Sequence, residues 1–174
     1  MQSWNPWHGC HKISEGCQNC YVYRTDSRYG KDSGKVEKTS NFDMPLNRDR
    51  SGEWKLQNDG FAVATCLTSD FFIDEADQWR SDIWQIIKRR RDLDFFIITK
   101  RIHRFYEGLP EDWGNGYDNV IIGCTCECQR TADFRLPIFL EAPIKHKVIV
   151  CAPLIEEINL SEYLNEQIEQ VSAG

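Results

Sequence analysis

The chain's 174 residues are enough for one domain with a substantial buried core. A hydrophobic fraction of 41% beside 28% charged residues excludes a disordered or fibrous chain, and a net charge of −6 argues against a general nucleic-acid binder, which would be basic. No apolar run reaches the ~20 residues that span a bilayer, and residues 1–4 lack an export signal, so a membrane role is set aside. Eight cysteines without a secretory context predict reduced thiols in the cytoplasm.

In chain order, the first signal is the loop from Trp4-Asn5-Pro6-Trp7-His8-Gly9-Cys10 to Cys17-Gln18-Asn19-Cys20-Tyr21. Cys17 and Cys20 are close enough in sequence for both thiolates to reach one metal centre, and Gly9 and Gly16 give the backbone freedom to bring Cys10 to the same point. Three thiolates are one short of the four that close an iron–sulfur cube, which leaves one iron open for chemistry. Structural zinc is the competing reading, with His8 or His11 as fourth ligand. A disulfide framework does not suit a chain of this length without a signal peptide.

Residues 21–29 read as a helix that starts near Cys17 and stops at Gly30, its amide donors facing the cysteine loop. Residues 31–60 are polar and glycine-bearing, so loops are expected, with short strands at most at 35–39 and 54–56. From residue 61 the pattern becomes regular. Apolar strands are predicted at 61–66, 94–99, 119–124 and 147–151, with another beginning at 168. Helices are predicted over about 75–90, 102–107, 128–140 and 161–164, and Trp79, Ile83, Trp84, Ile86 and Ile87 recur at core spacing on the first of these.

Short β-branched runs alternating with helices imply an α/β fold with a parallel sheet. Without a nucleotide-type glycine loop, we expect a partial, open TIM-like barrel over residues 1–174, with the cysteine loop, first helix and loops in 1–60 and the β/α repeats in 61–174. Since a strand is only beginning near Gly174, the barrel is expected to be open or truncated at the C-terminus. Chemistry in such barrels sits at the carboxyl ends of the strands, where Ser69-Asp70, Thr99-Lys100-Arg101 and Thr125 with Glu127 fall. Asp70 also reads as a cap for the following helix, and Lys100-Arg101 as a surface pair at a helix start. The run Lys88-Arg89-Arg90-Arg91 reads as a solvated helix end.

Cys124, Cys126 and Cys128 alternate, so on a continued strand their sulfurs would stand roughly 6–7 Å apart. Two thiolates on one zinc must lie within about 4 Å, so buried free thiols are the preferred reading. Cys66 and Cys151, alone in apolar strands, are expected in the core.

Trp4-Asn5-Pro6, Gly9-Cys10, Ser14, Gly16-Cys17 and Asn19-Cys20-Tyr21 resemble the signature of a three-cysteine, radical-SAM-like family associated with phage, the phage gene-product thirty-seven/sixty-eight family. Ser69-Asp70, Thr99-Lys100-Arg101, Gly123 with Glu127 and Gln129, and Ala132-Asp133 with Arg135 and Pro137 extend the resemblance along the chain. It implies a partial TIM barrel with a 4Fe–4S cluster on Cys10, Cys17 and Cys20 and S-adenosylmethionine on the open iron. Asp70, Lys100, Arg101 and Glu127 are the candidate contacts to that cofactor or the substrate. An external electron donor is implied, and the substrate is unknown. The C-x6-C-x2-C spacing departs from the C-x3-C-x2-C of most radical-SAM enzymes, and Ala152 stands before Pro153 where the family has glutamate.

Two functions therefore compete. One is a radical-SAM enzyme whose substrate, by analogy with phage relatives, is nucleic-acid-related. The other is a non-catalytic zinc-binding or nucleic-acid-associated module, with Trp4, Trp7, Tyr21 and Tyr23 as stacking surfaces.

Overall fold

The computed structural model describes residues 2–174. Its strands are, in chain order, β1 (Ser3–Trp4), β2 (Trp7–His8), β3 (Glu37–Lys38), β4 (Val63–Thr65), β5 (Phe95–Thr99), β6 (Val120–Thr125), β7 (His146–Cys151) and β8 (Ile168–Ala173). Its α-helices are α1 (Tyr21–Arg28), α2 (Asp77–Arg89) and α3 (Gln129–Glu141). Six strands form one sheet in the order β1-β4-β5-β6-β7-β8, and every neighbouring pair is parallel. β2 and β3 make a separate antiparallel ribbon. The fold is thus α/β with a parallel sheet, as expected.

The period-two alternation of β5 decides which face is buried. Phe95, Ile97 and Thr99 are buried, whereas Phe96 and Ile98 are only partly covered. Ile122 and Cys124 of β6 and Ile149 and Cys151 of β7 join the buried set. α2 shares that core through Ile83, Trp84 and Ile87, all fully buried. Aromatic rings extend it: Trp4 meets Phe95 edge-on at 5.6 Å, and Trp84 meets Trp113 at 4.9 Å. On the opposite face Gly123 has no side chain, and a Cβ there would press on Phe96 and Val150. Its absence lets the side chains of β5 and β7 close over β6. This second face carries the cavity described below.

Several local expectations change. The helix near Cys17 is split: a 3-10 turn spans Glu15–Cys17, and α1 begins only after Cys20. The helix expected over 102–107 contracts to a 3-10 turn at Ile102–Arg104. Residues 161–164 form a single turn, not a helix, because little is buried there and one turn alone cannot offset helix nucleation. No strand forms at 54–56, where Trp54 makes one isolated bridge to Arg48.

Arg90 also departs from its reading as part of a solvated helix end. It is buried, and its guanidinium donates to the Pro45 and Leu56 carbonyls and to Asp92, above the Trp54 ring. The carbonyls of an irregular segment need donors when buried, and the arginine fork supplies several at once. Among the described residues, no helix is long and apolar enough to cross a membrane.

Candidate metal and ligand site

The cysteine loop leaves β2 and is held by point contacts to the sheet's carboxyl end. Gly9 takes a positive φ of 97°, its N–H donates to the Thr68 carbonyl, and its own carbonyl accepts from Ser69 Oγ at 2.5 Å. A Cβ on Gly9 would overlap the Lys35 carbonyl. Cys10 N–H donates to the Ser33 carbonyl at 2.8 Å, and the Tyr23 hydroxyl of α1 donates to the Cys10 carbonyl. These bonds fix Cys10 from both sides. Cys17 closes the 3-10 turn and Cys20 occupies the N-cap position of α1 without a side-chain capping bond, so the pair straddles a turn and a helix start.

Cys10, Cys17 and Cys20 are all free, partly exposed thiols, and all three line one cavity of about 800 Å3. Asp70, Thr99, Lys100 and Arg101 share its polar wall, and Ile98 and Val150 its apolar one. The volume lies within the range of small-molecule sites, roughly 300–1,000 Å3. Six of the seven residues proposed for the site from sequence, the three cysteines with Asp70, Lys100 and Arg101, therefore meet around one space.

Asp70 does not cap α2, whose N-cap is Ala76. Its Oδ1 accepts from Phe72 N–H and from the Thr99 hydroxyl, while Oδ2 accepts from Lys100 N–H at 2.9 Å. Oδ2 also lies 3.3 Å from Arg101 Nη1. The carboxylate thereby ties the ends of β4 and β5 together and orients Arg101. That guanidinium reaches the Cys10 sulfur at 3.6 Å and donates from Nη2 to the His11 carbonyl at 2.7 Å. Arg101 is buried, so it is not the surface pair member considered from sequence. Burial pushes the Cys10 thiol up to about 11; Arg101 opposes the rise, and Asp70 and Cys17 add to it.

The seventh residue, Glu127, is fully buried beneath the loop and does not line the cavity. Ser14 donates to its Oε1, Arg135 Nη1 to its Oε2, and Lys100 Nζ lies 3.8 Å away. Burial alone would raise its carboxyl, but Ser14, Arg135 and Lys100 hold it below the usual glutamate range. Gly16 rests directly on this side chain, where a Cβ would overlap Glu127 Cγ. Glu127 is the floor under the Cys17 turn. Sequence reasoning had no signal for this, since the contact to Ser14 spans 113 positions.

His8 and His11 point elsewhere. His8 Nε2 pairs with Asp26 at 2.7 Å, and His11 Nε2 with Glu75. Among the described residues, no three His, Cys, Asp or Glu side chains stand close enough to share one metal ion. Cys66, Cys124, Cys126, Cys128 and Cys151 are buried free thiols, as expected. Thr125 Oγ1 is buried in the cavity wall without a hydrogen-bond partner among the described residues. Buried polar atoms are nearly always paired, so an orphan in a cavity marks a place for a bound polar group.

The family model described as "Protein of unknown function (DUF5131)" matches residues 1–174, and the chain belongs to that family. No curated protein and no solved structure matches it.

Proposed function

We propose that this DUF5131 chain is an iron–sulfur protein of radical-SAM type, built on an open, partial TIM-like barrel and acting in the cytoplasm. Cys10, Cys17 and Cys20 would hold a 4Fe–4S cluster, with S-adenosylmethionine in the cavity beside it. Three free thiols on one cavity wall, at the carboxyl ends of parallel strands, carry this reading. When bound, the two groups would supply one-electron reductive cleavage and hydrogen-atom abstraction, with the electron from an external donor.

The donor set fits a cluster better than a single ion. One zinc needs its sulfurs within about 4 Å of each other, whereas each thiolate of a cluster binds a different iron. Among the described residues no three such side chains stand close enough to share one ion, and neither histidine is free to complete a zinc site. Arg101 sets a permanent positive charge beside Cys10, which opposes the burial that raises this thiol and would offset the negative charge of a thiolate-ligated group. Asp70 keeps that arginine aimed. The Thr125 hydroxyl offers a polar contact to a molecule in the cavity, and Ile98 and Val150 an apolar one.

The test is iron content after anaerobic reconstitution of the parent and of a Cys17→Ala variant. The parent should take up about four irons per chain, and the variant should lose most of them. Equal iron in both would remove the basis of the assignment.

A further inference from the structure

A second cavity, of about 750 Å3, opens between the cysteine loop, the turn at Ile102–Arg104 and α3. Five cations stand in its wall, Lys100, Arg101, Arg104, Arg130 and Arg135, against two carboxylates, Asp74 and Glu75. Behind the wall Asp70, Asp77, Glu15 and Glu127 pair with Arg101, Arg104, Arg130 and Arg135, so the cations are held in place. The lining itself is richer in cations than in carboxylates, and charges lining a cleft concentrate counter-ions. Both carboxylates are engaged, Asp74 with Arg104 and Glu75 with His11. Two of the cations keep donors to spare. Lys100 Nζ donates no hydrogen bond among the described residues, and its nearest carboxylate oxygen is 3.8 Å off. Arg135 commits only Nη1, to the Thr125 carbonyl and to Glu127.

The same wall carries an aromatic surface. Phe134 is 57% exposed although large and apolar, and the His103 ring lies 5.9 Å from it. His103 makes no hydrogen bond among the described residues. Burial, and then the charges of Arg101, Arg104 and Arg135, push its imidazole down against the pull of Asp70. Converging guanidinium and ammonium donors suit a phosphate better than a lone carboxylate, and an exposed ring suits a planar base. Lys100 lines this cavity and the cysteine cavity alike.

We propose that this second cavity binds a nucleotide, its phosphate held by Lys100 and Arg135 and its base laid on Phe134. The nucleotide's role as substrate rests on the iron–sulfur reading, because Lys100 would bring it to the edge of the cysteine cavity; the binding itself does not.

Calorimetric titration of metal-free and reconstituted protein with thymidine 5′-monophosphate, thymidine, inorganic phosphate, citrate and pentathymidylate tests it. Thymidine monophosphate should bind at least tenfold more tightly than thymidine. Lys100→Ala should weaken the monophosphate and inorganic phosphate alike, by about tenfold. Phe134→Ala, at an exposed position, should weaken the monophosphate about tenfold and leave inorganic phosphate unchanged. Pentathymidylate binding more tightly, with a steeper salt dependence, assigns the nucleotide to a strand; equal affinity assigns it to a free nucleotide, and both results support the pocket. No binding of the monophosphate, binding indifferent to both substitutions, or citrate binding equally well overturns the proposal. Protein that binds the monophosphate but never takes iron keeps the pocket and removes the radical reading. Protein that takes iron but not the monophosphate does the reverse.

Discussion

The two halves of this chain are held together by different physics. Between β4 and β7, continuous parallel ladders and a shared apolar core do the work, with Phe95, Ile97, Ile122 and Ile149 in one buried cluster with Ile83, Trp84 and Ile87 of α2. Among the described residues, 2–60 have two-residue strands, two 3-10 turns and one eight-residue helix. They are secured by two fully buried tryptophans and by single polar ties: Tyr23 to Cys10, Ser69 to Gly9, Arg101 to His11 and Ser14 to Glu127. The comparison separates platform from payload. Apolar burial builds the sheet, and directional hydrogen bonds seat the cysteine loop at its carboxyl end.

The contrast can be broken at its strongest point with Trp7→Ala. Trp7 is fully buried against Phe71 and Trp79, and its indole N–H donates to the Asp70 carbonyl. Denaturant titration should show a loss of about 3–5 kcal/mol, the usual cost of deleting a buried aromatic. Gly9→Ala comes next. A positive φ and a clash with the Lys35 carbonyl should together cost at least about 2 kcal/mol, and hydrogen exchange should show loosening confined to residues 1–60. Protection of β5 and β6 should be unchanged; equal loss in both halves would mean that they are not separable.

Arg90→Met sharpens the same point from the other side, since Arg90 ties the irregular segment to the end of α2. Leaving the Pro45 and Leu56 carbonyls unpaired should cost about 1–3 kcal/mol. Exchange should rise around residues 45–57 and hardly at all near Cys10. The smallest effect concerns Asp26, buried on α1 and accepting from Ser33 and paired with His8. Burial would raise its carboxyl, but the Ser33 and His8 bonds outweigh it and hold it below the usual aspartate range. A depressed folded-state value contributes stability above the unfolded value, and that contribution disappears as pH falls through the folded one. Asp26→Asn should therefore cost about 1 kcal/mol near pH 6, and the difference from the parent should shrink as the pH drops below about 4. A gap that stays constant down to pH 3 would assign the loss to packing.

Much of the platform was legible. The runs Phe61-Ala62-Val63-Ala64, Asp94-Phe95-Phe96-Ile97-Ile98 and Lys147-Val148-Ile149-Val150 carry their strand signal locally, as does the helical spacing of Ile83, Trp84 and Ile87. β1 was not legible, because two residues hold no period and their pairing with β4 is set by long-range contact. The three cysteines were legible as a group through spacing and glycines. Asp70, Lys100 and Arg101 were found because strand ends can be located. Glu127 was found as a residue but not as a floor, since its partners Ser14 and Gly16 are distant in sequence. The Phe134 cavity gave no signal, because its wall gathers from four separate segments.

The central claim is that the three aimed thiols hold an iron–sulfur cluster. Anaerobic iron and zinc analysis with a visible spectrum, on protein reconstituted with iron and sulfide, tests it most directly. The account predicts about four irons per chain, a brown protein with a thiolate-to-iron absorption band, and a spectral change on adding S-adenosylmethionine. A colourless protein with roughly one zinc per chain and no iron would contradict it.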